Sequence, residues 1–210
     1  GLALGKLVGY VPPSPAGEGG YLGFEGIARP WLLPFITVVG GLLSGLLVFT
    51  LCPEAEGHGT DAVIAAVHHK QGGIAARVPV VKLVASAITI GTGGSAGREG
   101  PAAQISAGFA SLLGARLHLR PQDRRMLVAA GVGAGIGAIF RAPLGGAVLA
   151  AEILYLHDLE VEVLLPALMA SIVGYTIYGA VFGFTPIFGS QPDLALTSPV
   201  QLLYYAALGL

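Results

Sequence analysis

Long apolar segments, separated by short stretches rich in Gly, Pro and polar residues, make up most of the chain. Residues 31–52 carry no charge. At about 1.5 Å per residue, a helix of that length crosses a bilayer core about 30 Å thick. Residues 163–192 form the longest uncharged run and predict a second full span, and residues 199–210 begin another. The pattern therefore predicts an all-α, multi-pass membrane protein.

The other apolar segments are shorter, or are interrupted by Gly, Pro or a charge. In lipid, irregular backbone is tolerated only where it is buried in protein or lines a cavity, so these breaks are informative. We predict a short helix over residues 61–70, an apolar segment over residues 80–97 that loses regularity at Gly91, a helix over residues 101–119, and two helices within residues 126–151 that are separated at Arg141.

Glycines in the segment 126–151 recur at helical spacing. Gly131 and Gly135 form one small-xxx-small pair, and Gly133 and Gly137 form another. Such pairs let helix backbones approach closely, so we predict close helix contacts here. Arg141 could face an aqueous path or cap a helix end, and we favour the structural role.

Composition and charge narrow the class of protein. Hydrophobic residues make up 54% of the chain and charged residues 11%, against about 25% charged residues in soluble domains. The net charge of -1 argues against a nucleic-acid partner. The single cysteine, Cys52, excludes an intrachain disulfide and a cysteine-based metal site. Arg116, Arg120, Arg124 and Arg125 cluster in one connection, which the positive-inside rule assigns to the cytoplasm.

Two of the breaks have the chemistry of an anion site. One is Gly57-His58-Gly59-Thr60-Asp61, ahead of the short helix, and the other is Gly97-Arg98-Glu99-Gly100-Pro101. A helix N-terminus carries free amide hydrogens and about half a positive charge, so it attracts anions without a cationic side chain. Broken helices that meet near the membrane midplane are a common way to build ion sites.

Glu99 lies where an anion would bind at the second break. The field that would hold an anion also stabilises a carboxylate, so Glu99 is a natural competitor that would lose this attraction when protonated. Ionisable residues inside a membrane are functional candidates. The alternatives are a helix-start charge near the surface and a partner for Arg98.

The residues at these breaks resemble the CLC family of chloride channels and transporters, of prokaryotic type. The strongest match is residues 97–101 with Gln104, similar to the family's GREGP motif. Residues 130–135, residues 140–146 and Glu152 resemble the family's next two helices, and residues 57–61 are an imperfect match to its GSGIP motif. The resemblance covers the chain from about residue 30 onward.

The resemblance implies two inverted helical repeats, in a homodimer whose subunits each contain a pore. The chain, 1–210, would hold most of the first repeat, about residues 1–182, and the start of the second, about residues 199–210. The family's later GxFxP segment and pore tyrosine do not occur in these residues. The chain starts at Gly1 rather than Met and ends at Leu210 in an apolar stretch, so we expect it to be part of a longer protein.

The resemblance also implies roles for single residues. Glu99 corresponds to the external gating glutamate, and the amides around Arg98, Glu99 and Gly100 would help to bind the anion. His58 replaces the family's anion-coordinating serine. It could donate a hydrogen bond to the anion and titrate near neutral pH, narrow the site, or point away while the Gly59 amide binds.

Two positions bear on proton coupling. Glu152 matches the glutamate that ends a family helix, and Ile153 stands where proton-coupled members carry a second glutamate. Isoleucine cannot relay a proton, and channel members also carry an apolar residue there, so Ile153 favours passive conduction. Water could still bridge protons to Glu99, which keeps a proton-coupled exchanger open.

We therefore predict transport of chloride or a similar monovalent anion through a gated pore in the cell membrane, with an anion/proton antiporter as the alternative. We expect no enzymatic activity, no cofactor and no metal, with chloride as the transported ligand and lipid and a second subunit as partners. A membrane-embedded enzyme that uses His58 and Asp61 as an acid/base pair is a remote alternative, since no nucleophile motif accompanies them. A non-conducting structural relative is a third possibility.

Overall fold

The computed structural model describes residues 31–153 and 161–184, together with positions 200, 204 and 207. These described residues form α-helices and one 3-10 turn without any strand, which confirms the predicted all-α class. The predicted loop over residues 11–29 and the predicted span from residue 199 lie outside the described segments, apart from those three positions. The helices are α1 Leu32–Leu51, α2 Thr60–His69, α3 Arg77–Gly91, α4 Glu99–Arg116, α5 Pro121–Phe140, α6 Pro143–Ile153 and α7 Val161–Phe182, and the 3-10 turn is Pro53–Ala55.

In the described part of the chain, two helices are long and apolar enough to cross a membrane, α1 and α7. Large side chains along α1, among them Phe35, Leu42 and Phe49, are exposed, as expected of a surface that faces lipid or further protein. The predicted run of residues 163–192 is not helical throughout. Helix α7 ends at Phe182, because Gly183 adopts a left-handed conformation with φ of 82°.

The glycines of α5 lie against two different helices, α4 and α7, and the predicted close contacts are confirmed. A Cβ atom on Gly135 would lie 2.7 Å from the carbonyl oxygen of Ala102 in α4, and one on Gly131 would lie 2.9 Å from that of Ser106. On the other face, a Cβ atom on Gly133 would lie 3.3 Å from Ala167 in α7. Helix α5 is therefore packed closely on both sides.

Arg141 ends α5 and confirms the predicted break. It adopts a left-handed conformation with φ of 54°, and the amide of Ala142 then donates to the carbonyl of Gly137 at 3.0 Å. Pro143 begins α6 directly afterwards. The guanidinium lies 5.7 Å from the ring centre of Tyr178 and donates to the carbonyl oxygen of Phe182 at 3.4 Å. These contacts support the structural role that we favoured.

Buried side chains form two clusters that share one neighbour. The larger cluster joins α2, α4, α5, α6 and α7, and the smaller one joins α1, the 3-10 turn and α3. Ile74, in the connection between α2 and α3, packs against both. The two breaks identified in the sequence lie beside these clusters, so the packing fixes their positions.

Gly135→Ala should destabilise the protein. Its new Cβ atom would meet backbone that cannot move aside, and overpacking of this kind costs about 1–3 kcal/mol. Thermal unfolding of the full-length protein in detergent measures the effect. Gly41→Ala is the matched control, because nothing lies within 4 Å of a Cβ atom there, and its melting temperature should stay at or above that of the wild type. Equal melting temperatures for both variants would contradict the packing described for α5.

Candidate anion-binding site

The two sequence breaks are in backbone contact. A Cβ atom on Gly59, just before α2, would lie 3.1 Å from the carbonyl oxygen of Gly100 in the first turn of α4. A Cβ atom on Gly100 would collide with the carbonyl oxygen of His58. Only glycine permits this approach, and at Gly59 the φ of 110° also requires it. The fold therefore brings together two helix starts that are far apart in sequence.

Both helix starts lack a side-chain cap. Gly59 precedes α2 and Arg98 precedes α4, and neither contributes a capping hydrogen bond from its side chain. Helix α4 begins at Glu99, two residues before the predicted start at Pro101. Its amides at Glu99 and Gly100 precede the first intrahelical donor, so they have no partner within the helix. The two helix starts, each with a partial positive charge, thus lie next to each other.

The carboxylate of Glu99 folds back over the start of its own helix. A Cβ atom on Gly97 would lie 2.7 Å from Glu99 Oε2. Within the described chain, Glu99 makes an ionic contact with His58, and Oε1 of Glu99 lies 3.9 Å from Nε2 of His58. Both side chains are about half exposed. Among these described residues, Glu99 is not paired with Arg98, which was the alternative from sequence.

The two ring nitrogens of His58 contact one residue in each break. Nδ1 lies 3.0 Å from Oγ1 of Thr60, and Nε2 faces Glu99. If the Thr60 hydroxyl donates to Nδ1, the neutral ring carries its proton on Nε2 and can donate toward the Glu99 side. The partners that the structure describes for His58 do not include Asp61, so the acid/base pair of the enzyme alternative is not formed.

A cavity of about 510 Å³ adjoins the two breaks. It lies between α1, α3, the 3-10 turn and the segment that precedes α4. Gly57, His58, Gly97 and Pro101, which belong to the predicted site, line it. Apart from the charged residues Glu56 and Lys82, the rest of the lining is apolar or carries hydroxyl groups, the hydroxyls being those of Ser44, Ser86, Thr89 and Ser95. Such a lining can solvate an ion and its water.

Lys82 also lines the cavity and was not among the predicted site residues. It lies in α3 and is only 4% exposed, and its ammonium group donates to the carbonyl oxygens of Gly57 at 2.6 Å and Ala55 at 3.0 Å. The sequence feature that could have identified Lys82 is a single lysine inside an apolar segment. Intramembrane charges that pair with backbone carbonyls commonly mark ion pathways.

Glu152 and Ile153, the two positions tied to proton coupling, lie at the end of α6. Glu152 is exposed. None of the residues that line the cavity belongs to α6.

The arrangement defines a class of protein. Helices that break at glycines and meet at uncapped starts beside a cavity are a common way for membrane transport proteins to build ion sites. The chain matches the family described as Voltage gated chloride channel over residues 40–210, and it belongs to that family of membrane proteins.

Several relatives support this membership. A putative chloride channel protein ClcB-like from Ralstonia nicotianae is 32% identical over 86% of this chain and 42% of its own length. A chloride/fluoride channel protein from Pseudomonas syringae pv. tomato is 32% identical over 69% of this chain and 32% of its own length. A protein of Methanocaldococcus jannaschii, whose name states no function, is 35% identical over 75% of this chain and 38% of its length. The chain therefore spans less than half the length of these relatives.

Gly59→Ala should destabilise the protein by about 2 kcal/mol more than Gly57→Ala. Both variants carry the cost of a left-handed conformation, about 1–2 kcal/mol. Only the Gly59 variant also meets other atoms, Gln104 Oε1 at 2.7 Å and the backbone of Gly100, whereas nothing lies within 4 Å of a Cβ atom on Gly57. Chemical denaturation of the full-length protein in detergent measures the difference. Similar losses for both variants would mean that the two breaks do not meet.

Proposed function

We propose that the complete protein conducts chloride or a similar monovalent anion across the cell membrane through a pore gated by Glu99. The observation that carries the proposal is the contact between the two uncapped helix starts, with the Glu99 carboxylate folded over one of them. Backbone amides at Gly57, Gly59 and the start of α4 would bind the anion, because two converging positive helix ends offer donors without a fixed cation.

Competition for the same site gives Glu99 its gating role. The ionised carboxylate occupies the helix start and repels an incoming anion. Protonation removes the negative charge, so the side chain is released and the anion can bind in its place. The contact between Glu99 and His58 supports this assignment, since the carboxylate lies within reach of a group that can hold it when charged.

The identity of the anion depends on His58. The imidazole replaces the hydroxyl that the family resemblance leads one to expect, and it presents Nε2 toward Glu99 while Thr60 holds Nδ1. A ring N–H can donate to an anion as a hydroxyl does. One relative is named as a chloride/fluoride channel protein, so chloride and fluoride are the first two anions to compare.

Ile153 makes the proposed transport channel-like. An isoleucine at this position cannot accept a proton, and the cavity beside Glu99 has no lining residue from α6. The alternative within the same family is a chloride/proton antiporter in which water carries protons to Glu99. The complete protein would be a multi-pass homodimer in the cell membrane, with a pore in each subunit.

Glu99→Gln should abolish most of the pH dependence of anion flux. Glutamine mimics the protonated carboxyl, so flux should be high and should change by less than about twofold over the range in which carboxylates titrate. Chloride efflux from liposomes that contain the full-length protein measures this effect. Asp123→Asn is the control, since it removes a carboxylate that pairs with Arg120 on the surface, and it should keep the wild-type profile. A Glu99→Gln protein with unchanged pH dependence would show that Glu99 is not the gate.

A chloride gradient should move no protons through the wild-type protein. Liposomes with an internal pH indicator and an imposed chloride gradient measure proton movement alongside chloride efflux. Ile153→Glu supplies the absent carboxylate and should add proton movement if a water path reaches Glu99. Stoichiometric uphill proton movement by the wild type would overturn the channel assignment and establish the antiporter.

A further inference from the structure

Three carbonyl oxygens of the segment that carries His58 accept hydrogen bonds from buried side chains. Nε2 of Gln104 donates to the carbonyl of Glu54 at 2.9 Å. The ammonium group of Lys82 donates to the carbonyls of Ala55 at 3.0 Å and Gly57 at 2.6 Å. The donors come from two helices, α3 and α4, so the segment is held from both.

Both donor side chains are deeply buried. Lys82 is 4% exposed and Gln104 is 1% exposed. Burying an ammonium group is costly unless it is paired, and within the described chain Lys82 finds carbonyls rather than a carboxylate. Gln104 Oε1 is buried beside Gly59 without a hydrogen-bond partner among the described residues. This unpaired oxygen costs free energy, while Nε2 of the same side chain keeps its hydrogen bond to the 3-10 turn. Both side chains therefore use their hydrogen-bond donors on this segment.

The bonds matter for an anion because carbonyl oxygens repel it. A loop that binds an anion through its amides must keep its carbonyl oxygens engaged elsewhere. Lys82 engages the carbonyls on either side of Glu56, and the second of these belongs to Gly57, which directly precedes His58. Lys82 also adds a positive charge to the cavity wall, to which the exposed Glu56 contributes a carboxylate.

We propose that Lys82 and Gln104 form a clamp, meaning that their hydrogen bonds hold the carbonyl oxygens of the 3-10 turn and Gly57. This clamp sets the affinity of the neighbouring loop that contains His58, residues 57–59, for a monovalent anion. Lys82 is a positioning residue, because it acts through the carbonyls of Ala55 and Gly57. The inference rests on the proposed anion transport and assigns to it two side chains on α3 and α4.

Lys82→Met removes the charge and the donors at nearly constant length. In the full-length protein, it should weaken chloride binding by about tenfold, as expected for loss of a charged hydrogen-bond donor. Isothermal titration with chloride in detergent measures the affinity, and thermal unfolding without chloride measures the fold. Lys70→Met is the matched control, because Lys70 bonds the Glu54 side chain of the same turn at 2.9 Å and is half exposed. Its chloride affinity should stay within about twofold of the wild type.

Two further variants distinguish the positioning role of Lys82 from the effect of its charge. They also keep the test decisive if Lys82→Met does not fold. Lys82→Gln keeps amide donors without the charge and should recover part of the affinity lost in Lys82→Met. Gln104→Leu removes the other donor and should weaken chloride binding in the same direction. The double variant Lys82→Met with Gln104→Leu should lose less than the product of the single losses, because both act on one turn. If Lys82→Met does not fold, Lys82→Gln and Gln104→Leu carry the comparison with Lys70→Met.

The outcomes distinguish this inference from the proposed function. A wild-type protein that neither binds nor conducts chloride would overturn the proposed function itself. A wild type that conducts chloride, with Lys82 and Gln104 variants that match Lys70→Met in affinity, would overturn only the clamp. Equal losses in Lys82→Gln and Lys82→Met would assign the effect to charge alone and would overturn the positioning role.

Discussion

The backbone contact between Gly59 and Gly100 is the constraint on which the rest of the site depends. It joins the start of α2 to the start of α4 and leaves no room for a side chain at either glycine. Both starts lack side-chain caps, so the contact places two uncapped helix ends side by side. The proposed anion site depends on this one approach.

The two clusters of buried side chains position the elements that make that contact. One cluster fixes α2 and α4 against α5, whose glycines admit close neighbours on two faces. The other fixes the 3-10 turn against α1 and α3. The turn carries the loop to His58, and buried donors on α3 and α4 occupy its carbonyl oxygens. Packing and polar contacts thus act on the same short segment.

The charged side chains at the site differ in how firmly they are held. Glu99 and His58 are 3.9 Å apart and about half exposed, so their attraction is weak and can be exchanged for other partners. Lys82, by contrast, is buried and bonded to backbone, so its charge is fixed. In the proposed gating, Glu99 is the carboxylate that moves and Lys82 is the charge that stays in place.

The sequence by itself determined the helical class, the membrane-spanning length of α1, the break at Arg141 and the two breaks that carry the site. These features are local, because they depend on runs of apolar residues, on Gly and Pro, and on helical spacing along one segment. The family motif around Glu99 is equally local. Only the tertiary structure decided that Gly59 meets Gly100, that His58 faces Glu99 and Thr60 rather than Asp61, and that Lys82 bonds Ala55 and Gly57. Apart from the local contact of His58 with Thr60, those contacts join segments that are far apart in the sequence and depend on how the helices pack, which no single segment encodes.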